Sequence, residues 1–244
     1  MQTLALADKL ARDHTLTDAE YRTLLENRTP ELAAHLAELA CAAREPIYGT
    51  SVFTRGLVEI SNICKNDCVY CGLRRSNHNL ERYRLDPDTI VACARQGWEL
   101  GFRTIVLQGG EDAYYTDEVL GRIVERILAC CPDSAVTLSM GERSRQSYRR
   151  LFDAGATRYL LRHETATRAH YERLHPAQMS WDNRMRCLHD LREIGYQVGA
   201  GFMVESPYQT TDHLVAELRF VEDFRPDRSE ERRVGKECRS RWSP

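Results

Sequence analysis

Between residues 52 and 223 the hydrophobic period changes repeatedly, and that alternation admits few folds. Short apolar runs at 52–60, 104–108, 135–139, 158–161 and 196–204 are each followed by a stretch with helical spacing. One such stretch is capped at Asp86-Pro87-Asp88 and runs to Gly101, and a second covers 116–131. A third leads to Gly155, a fourth is interrupted near Pro176, and the last covers 211–223. Nearly continuous apolar strands are those buried on both faces, as in a parallel sheet covered by helices. Parallel neighbours need a long crossover, which a helix supplies. Polar residues gather at the C-terminal ends of these strands, which favours a TIM-type barrel over an open sheet. Five units fall short of the eight that close such a barrel. The expectation is therefore an α/β fold, a truncated TIM-type (βα) barrel of about five units behind an N-terminal helical segment.

Three segments follow. Residues 1–48 read as helical: Thr17-Asp18-Ala19-Glu20 is a capping box, and Pro30 opens a leucine-periodic stretch. Residues 49–227 form the barrel. Residues 228–244 carry six basic and three acidic residues without helical or strand period. Back-translated, this tail is similar to a sequencing adapter read in one frame, so it is read as an artefact and Cys238 is given no weight. A solvated basic tail is the plainer alternative. An open barrel in isolation exposes a sheet edge and is expected to aggregate, and a fragment without activity is one of the alternatives.

The 34 Lys+Arg against 36 Asp+Glu give a net charge of -2, so bulk electrostatics offers no reason to expect nucleic acid or an anionic membrane as partner. No apolar run nears the ~20 residues that span a bilayer. The N-terminus lacks a basic region leading into an apolar one. A cytoplasmic location is expected, and there the nine cysteines remain thiols. Six are scattered and suit small core positions. The other three fall within Cys64-Lys65-Asn66-Asp67-Cys68-Val69-Tyr70-Cys71, directly after a strand.

Three thiolates on one polar loop can hold an iron–sulfur cluster or a soft metal. A zinc site would take a fourth ligand, and His78 is within reach by sequence. Three unrelated core cysteines are the remaining possibility, which the polar Lys65, Asn66 and Asp67 disfavour.

The C-x3-C-x2-C spacing with Tyr70 before the third cysteine resembles the radical S-adenosylmethionine (SAM) superfamily. There three cysteines hold a 4Fe-4S cluster, and SAM chelates the fourth iron. Further stretches extend the likeness: Glu59-Ile60-Ser61-Asn62-Ile63 before the cysteines, Gly72-Leu73-Arg74-Arg75-Ser76-Asn77 after them and Arg82-Tyr83-Arg84-Leu85. Gln108-Gly109-Gly110-Glu111-Asp112, Arg162-His163-Glu164-Thr165-Ala166, Leu174-His175-Pro176 and Gly201-Phe202-Met203-Val204 continue it. Over residues 30–223 this set resembles the HydE family, radical SAM maturases of the FeFe-hydrogenase H-cluster. Methylornithine synthase and biotin synthase are similar relatives.

The resemblance implies Cys64, Cys68 and Cys71 as cluster ligands and a 4Fe-4S cluster with SAM as cofactors. It implies Gly109, Gly110 and Glu111 as the motif whose backbone meets the SAM amino group. Tyr70 and Met203 would lie near the adenine, Glu164 would accept from the ribose hydroxyls, and Arg162 would face the cavity. Arg184 would bind the SAM carboxylate, potentially with both arms. Without the shared pattern each of these charges would read as a surface ion pair, and Met203 as core filler. From strand alternation alone, Arg162 and Glu164 share a face opposite His163. Thr137 and Ser139 could likewise anchor a small ligand or satisfy the backbone. His78 and His175 read as structural.

Implied partners are a small organometallic substrate, a reductant such as ferredoxin or flavodoxin, and other hydrogenase maturases. The alternatives are methylornithine synthase or biotin synthase chemistry, or a non-catalytic iron–sulfur or zinc protein. One departure stands out: the family continues after the Met203-Val204 position with Gly-Leu-Pro-Gly-Gln-Thr, whereas this chain has Glu205-Ser206-Pro207-Tyr208-Gln209-Thr210.

Overall fold

A computed structural model of the chain describes residues 2–233. Residues 234–244, with Cys238, lie outside the described residues. In chain order the elements begin with α1 (Gln2–Asp13), α2 (Asp18–Glu26), α3 (Pro30–Tyr48), β1 (Gly56–Ser61) and α4 (Pro87–Glu99). They continue with β2 (Thr104–Gly109), α5 (Asp117–Cys130), β3 (Ala135–Ser139), α6 (Arg145–Asp153) and β4 (Arg158–Leu160). The rest are α7 (Arg168–Leu174), α8 (Trp181–Ile194), β5 (Gln197–Val204), α9 (Thr211–Phe224) and β6 (Arg228–Arg233).

The chain divides into two compact units. The first comprises residues 1–53 and 209–225. Thr17 caps α2 in a full capping box with Glu20, and Thr29 caps α3 with Pro30 in the first turn. Ala7, Leu16, Tyr21, Leu24, Leu32 and Val215 form its core. Here the organisation differs from the sequence expectation. Helix α9, assigned above to the barrel, turns Val215 and Leu218 onto the apolar faces of the first helices. Arg219 reinforces the contact with an ion pair to Asp18 at 2.7 Å, and the Tyr21 hydroxyl donates to Glu222.

The second unit comprises residues 54–208 and 226 onward. Its six strands are all parallel, in the order β1-β2-β3-β4-β5-β6. A doubly wound sheet reverses its order at a switch point, whereas this one adds each strand to the same side, as a barrel does. Register places Val58, Leu107, Leu138, Tyr159 and Val198 in one row across five strands, all buried. The next row carries Glu59, Gln108 and Ser139 on the other face. Because side chains alternate along a strand, one apolar row facing the helices obliges its neighbour to face the sheet's concave side. The polar row therefore lines a cavity.

Two strand expectations are corrected. Residues 52–55 are not strand, because β2 offers partners only from Gly56↔Ile105 onward. Conversely, 228–233, read as lacking strand period, pairs with β5 from Gly199↔Arg228 to Val204↔Arg233. The open edge of β5 presents main-chain donors and acceptors that pair whatever the side chains.

Candidate active site

The cysteine loop is held by the residues that follow it. The Arg82 guanidinium donates to the carbonyls of Asn62, Leu73, Arg74 and Asn77 at 2.5–3.0 Å, which closes the loop on itself. The Asn62 side chain accepts from the Tyr83 amide and donates to the Glu81 carbonyl, both at 2.8 Å. Asp67 accepts from the amide and hydroxyl of Ser76. Below the loop, Asp112 receives Arg84 at 2.7 and 2.8 Å and Ser61 at 2.8 Å. Burial disfavours the Asp112 charge, but donors from Arg84, the Tyr114 amide and Ser61 outweigh it and hold the carboxyl below the usual range.

Gly110 explains how the loop reaches the sheet. A Cβ there would meet the Ile63 carbonyl oxygen at 2.2 Å and Cys64 Cβ at 2.8 Å. Only glycine admits so close an approach of two backbones.

The loop borders a cavity of about 520 Å³. Its wall includes Cys64, Cys68, Cys71, Tyr70, Gly109, Gly110, Glu111, Ser139, Arg162, Glu164 and Arg184, together with Glu59 and Gln108. Residues from five separate segments thus converge. Among the described residues no three His, Cys, Asp or Glu side chains gather closely enough to hold one metal ion. The thiols stand round a cavity instead, and His78 is not on its wall. Donors so spread suit a cluster of several irons better than one tetrahedral zinc. Burial, reinforced by Cys71, pushes the Cys68 thiol up, so it would ligate as a thiolate only where a metal displaces its proton.

Glu164 is the most constrained group on the wall. Its φ of 66° lies in the left-handed region, which non-glycine residues seldom adopt. One carboxylate oxygen accepts from Arg162 Nε at 3.3 Å; Oε2 is buried with no hydrogen-bond partner. A buried acceptor without a donor is costly, and a ligand hydroxyl would satisfy it. The attraction of Glu164 in turn keeps the partly buried Arg162 charged, raising its pKa.

Arg184 is buried on α8, with Nε donating to Glu142 at 2.7 Å and Nη1 to the Arg162 carbonyl at 2.8 Å. Those two bonds fix the guanidinium plane and use two of its five N–H donors. Glu111 turns its carboxylate to Lys65, 3.0 Å away, and to the Glu142 amide at 3.1 Å. Gly141, at φ 73°, lets it lie there: a Cβ would fall 2.2 Å from Glu111 Cγ and 2.3 Å from Oε1.

Met203 lies behind the cavity wall. It is 2% exposed, packs with Leu174 against Val69 and Tyr70, and is not on the cavity wall. It supports Tyr70 from behind, because its position on β5 faces the core. Thr137 is likewise not on the wall. His175 is structural. Nδ1 meets the Tyr171 carbonyl and Nε2 the Tyr70 hydroxyl, at 2.9 and 2.8 Å. Burial and the nearby Arg184 lower its pKa to about 3, so the ring is neutral.

The 205–208 turn is pinned by His170, whose Nε2 meets the Pro207 carbonyl at 2.9 Å. Glu205 at φ 61° and Tyr208 at φ 64° adopt the left-handed conformation at the two places where the family pattern has glycine. Sequence reading missed Glu142, which no motif marked, and gave Arg82 no role. For Glu142 the available signal was its place just beyond a strand's C-terminal end.

Comparison with known proteins agrees with this geometry. The family model described as the radical SAM superfamily matches residues 58–221. The [FeFe] hydrogenase maturase subunit HydE of Thermotoga maritima is 47% identical over 188 residues, 77% of this chain and 53% of that protein. The 3-methylornithine synthase of Methanosarcina barkeri is 28% identical over 82% of this chain and 57% of its own. The chain thus spans about half the length of the curated relatives it matches. Among solved structures, methylornithine synthase superposes with a TM-score of 0.87 at 24% identity, covering 97% of this chain and 70% of that one. The maturase HydG of Carboxydothermus hydrogenoformans gives 0.80 at 23%, covering 99% and 62%. Likeness at that identity concerns the fold. Superfamily members use a 4Fe-4S cluster with SAM, and three thiols, an orphaned buried carboxylate oxygen and a buried arginine on one cavity wall fit that pair. The chain belongs to the radical SAM superfamily.

Proposed function

We propose that this protein acts as a HydE-like radical SAM enzyme in assembly of the FeFe-hydrogenase H-cluster. The observation that carries the reading is the convergence of Cys64, Cys68 and Cys71 with Glu164 and Arg184 on one cavity wall. Bound there, the cluster and SAM would supply one-electron cleavage of SAM to methionine and a 5'-deoxyadenosyl radical. The chain's own contributions are to hold and shield. The three thiols would anchor the cluster, and Glu164 Oε2 would accept from the ribose. Arg184 would face the SAM carboxylate, and the Gly109-Gly110 backbone its amino group. Tyr70 would lie over the adenine side, backed by Met203. The concave row of Glu59, Gln108 and Ser139 would face the substrate, a small iron-bearing organometallic species. A cytoplasmic ferredoxin or flavodoxin would supply the electron, with other hydrogenase maturases as partners.

The 47% identity to a HydE protein, against 28% to a 3-methylornithine synthase, favours the first over the lysine-mutase alternative. Anaerobic reconstitution of the full chain followed by reduction with SAM present should release 5'-deoxyadenosine. An intact cluster with no release would overturn the reading. Turnover that depended on added lysine would reassign it to methylornithine synthase chemistry.

A further inference from the structure

Glu142, just beyond β3, is not on the wall of the large cavity but borders a neighbouring one of about 200 Å³. We propose that Glu142 is a positioning residue that holds Arg184 and Glu111 in place and thereby sets the affinity for SAM without touching it. The inference rests on the SAM reading of the cavity.

Every hydrogen-bonding part of Glu142 except its carbonyl is committed. Oε1 accepts from Arg184 Nε at 2.7 Å and from the Tyr171 hydroxyl at 3.3 Å. Oε2 accepts from Asn183 Nδ2 at 2.6 Å. The amide donates to Glu111 Oε1 at 3.1 Å. One residue therefore grips Arg184, assigned to the SAM carboxylate, and the side chain of Glu111, whose backbone belongs to the motif assigned to the SAM amino group. The grip is directional: Nε is taken by Glu142 and one Nη1 hydrogen by the Arg162 carbonyl, so the guanidinium plane is set and with it the directions of the remaining Nη hydrogens. Asn183 and Tyr171 keep the Glu142 carboxylate from swinging away. Gly141 completes the device, since any side chain there would displace the Glu111 carboxylate and break its bond to the Glu142 amide. Burial makes such a network consequential, because a low local dielectric strengthens satisfied polar pairs and penalises broken ones.

A plainer role is charge neutralisation of a buried arginine. Two substitutions separate the roles. Glu142→Gln keeps the length and the acceptor but loses the charge. Glu142→Asp keeps the charge but is one methylene too short to reach Arg184 Nε. The positioning role expects SAM affinity in the order wild type, Gln, Asp, with Asp weakened about tenfold to a hundredfold, the range common when a ligand's supporting partner is lost. Neutralisation expects the reverse order for the two variants. The measurement is equilibrium dialysis of labelled SAM against the cluster-loaded full chain, with iron content and melting temperature recorded for each protein. In an Arg184→Ala background, Glu142→Asp should cost less than about threefold more, since coupled residues are non-additive. Wild-type affinity in Glu142→Asp, the reverse order, or equal losses in both backgrounds would overturn the proposal. If cluster-loaded wild type bound no SAM, the reading of the cavity would fall first and this inference with it. A variant that loses iron or does not fold is replaced in the comparison by Asn183→Ala, which frees Oε2 and should weaken SAM in the same direction but less. Unchanged affinity there would count against the proposal.

Discussion

Glu205 and Tyr208 hold positive φ where the family pattern that the chain resembles has glycine, and the strain can be measured one residue at a time. An L-residue in the left-handed region costs about 1–2 kcal/mol. Glycine relieves that strain but returns about 0.4–1 kcal/mol through a more flexible unfolded chain. At the exposed Glu205 the backbone effects alone should leave Glu205→Gly about 0.5–1 kcal/mol more stable than Glu205→Ala, which removes the same side chain and keeps the strain. Tyr208 is different. The Arg173 guanidinium sits 3.5 Å from the centre of its half-exposed ring, a contact worth about 0.5–1 kcal/mol. Tyr208→Gly forfeits it, and its net effect should lie near zero. A chain of this size converts each kcal/mol to about 2–4 °C in Tm. Thermal unfolding of the cluster-free protein should then show Glu205→Gly about 1–4 °C above Glu205→Ala and Tyr208→Gly little changed. Glu205→Ala is the control: it keeps the strain and should gain nothing. A gain for alanine equal to that for glycine, or a larger gain at Tyr208 than at Glu205, would refute the reasoning.

Gly110→Ala should destabilise by about 1–3 kcal/mol and reduce iron loading, because its Cβ would force the Ile63–Cys64 backbone off the sheet; normal iron content would count against it. Glu164→Gln turns an amide donor toward a ligand donor or loses the charge, so SAM affinity should fall by about tenfold while the iron content stays unchanged; isothermal titration checks this. His175 contributes a pH dependence of known sign. Its folded pKa of about 3 lies below the unfolded value near 6.5, so the unfolded chain binds the extra proton between them. Stability is complete above that unfolded value and declines as pH falls toward 3, by at most about 1.4 kcal/mol per pH unit. His175→Gln should flatten urea midpoints measured between those limits, and an unchanged slope would assign the dependence to other groups.

The strands were legible where burial on both faces leaves an apolar run, and Ala135–Ser139 appears in the structure as read. The cysteine loop was legible because thiol spacing along a chain is itself chemistry. Contacts across the chain were not. Whether α9 covers the sheet or joins α1 to α3 depends on which apolar face meets Val215, and one amphipathic pattern serves both. Glu142 was hidden for a related reason: it acts through a buried pair 42 residues away and through its own amide, neither of which has a periodicity. Met203 packs behind Tyr70 and not on the cavity wall, because side chains alternate along a strand and a sequence pattern does not say which face a residue takes. The strand at 228–233 was missed because edge pairing depends on the neighbour's backbone more than on its own side chains.

The four carbonyls gathered by Arg82 bear on the order of assembly. In zinc fingers the metal is the scaffold, and removing it unfolds the chain. Here the loop between Asn62 and Asn77 is tied to its own backbone by a guanidinium, two side-chain amides and a carboxylate. Bonds of that kind do not depend on bound iron. Chelation should bleach such a protein without melting it, and reloading should need iron and sulfide but no refolding. Oxygen damage to the cluster would then be a reparable injury, and the lasting one would be loss of Arg82.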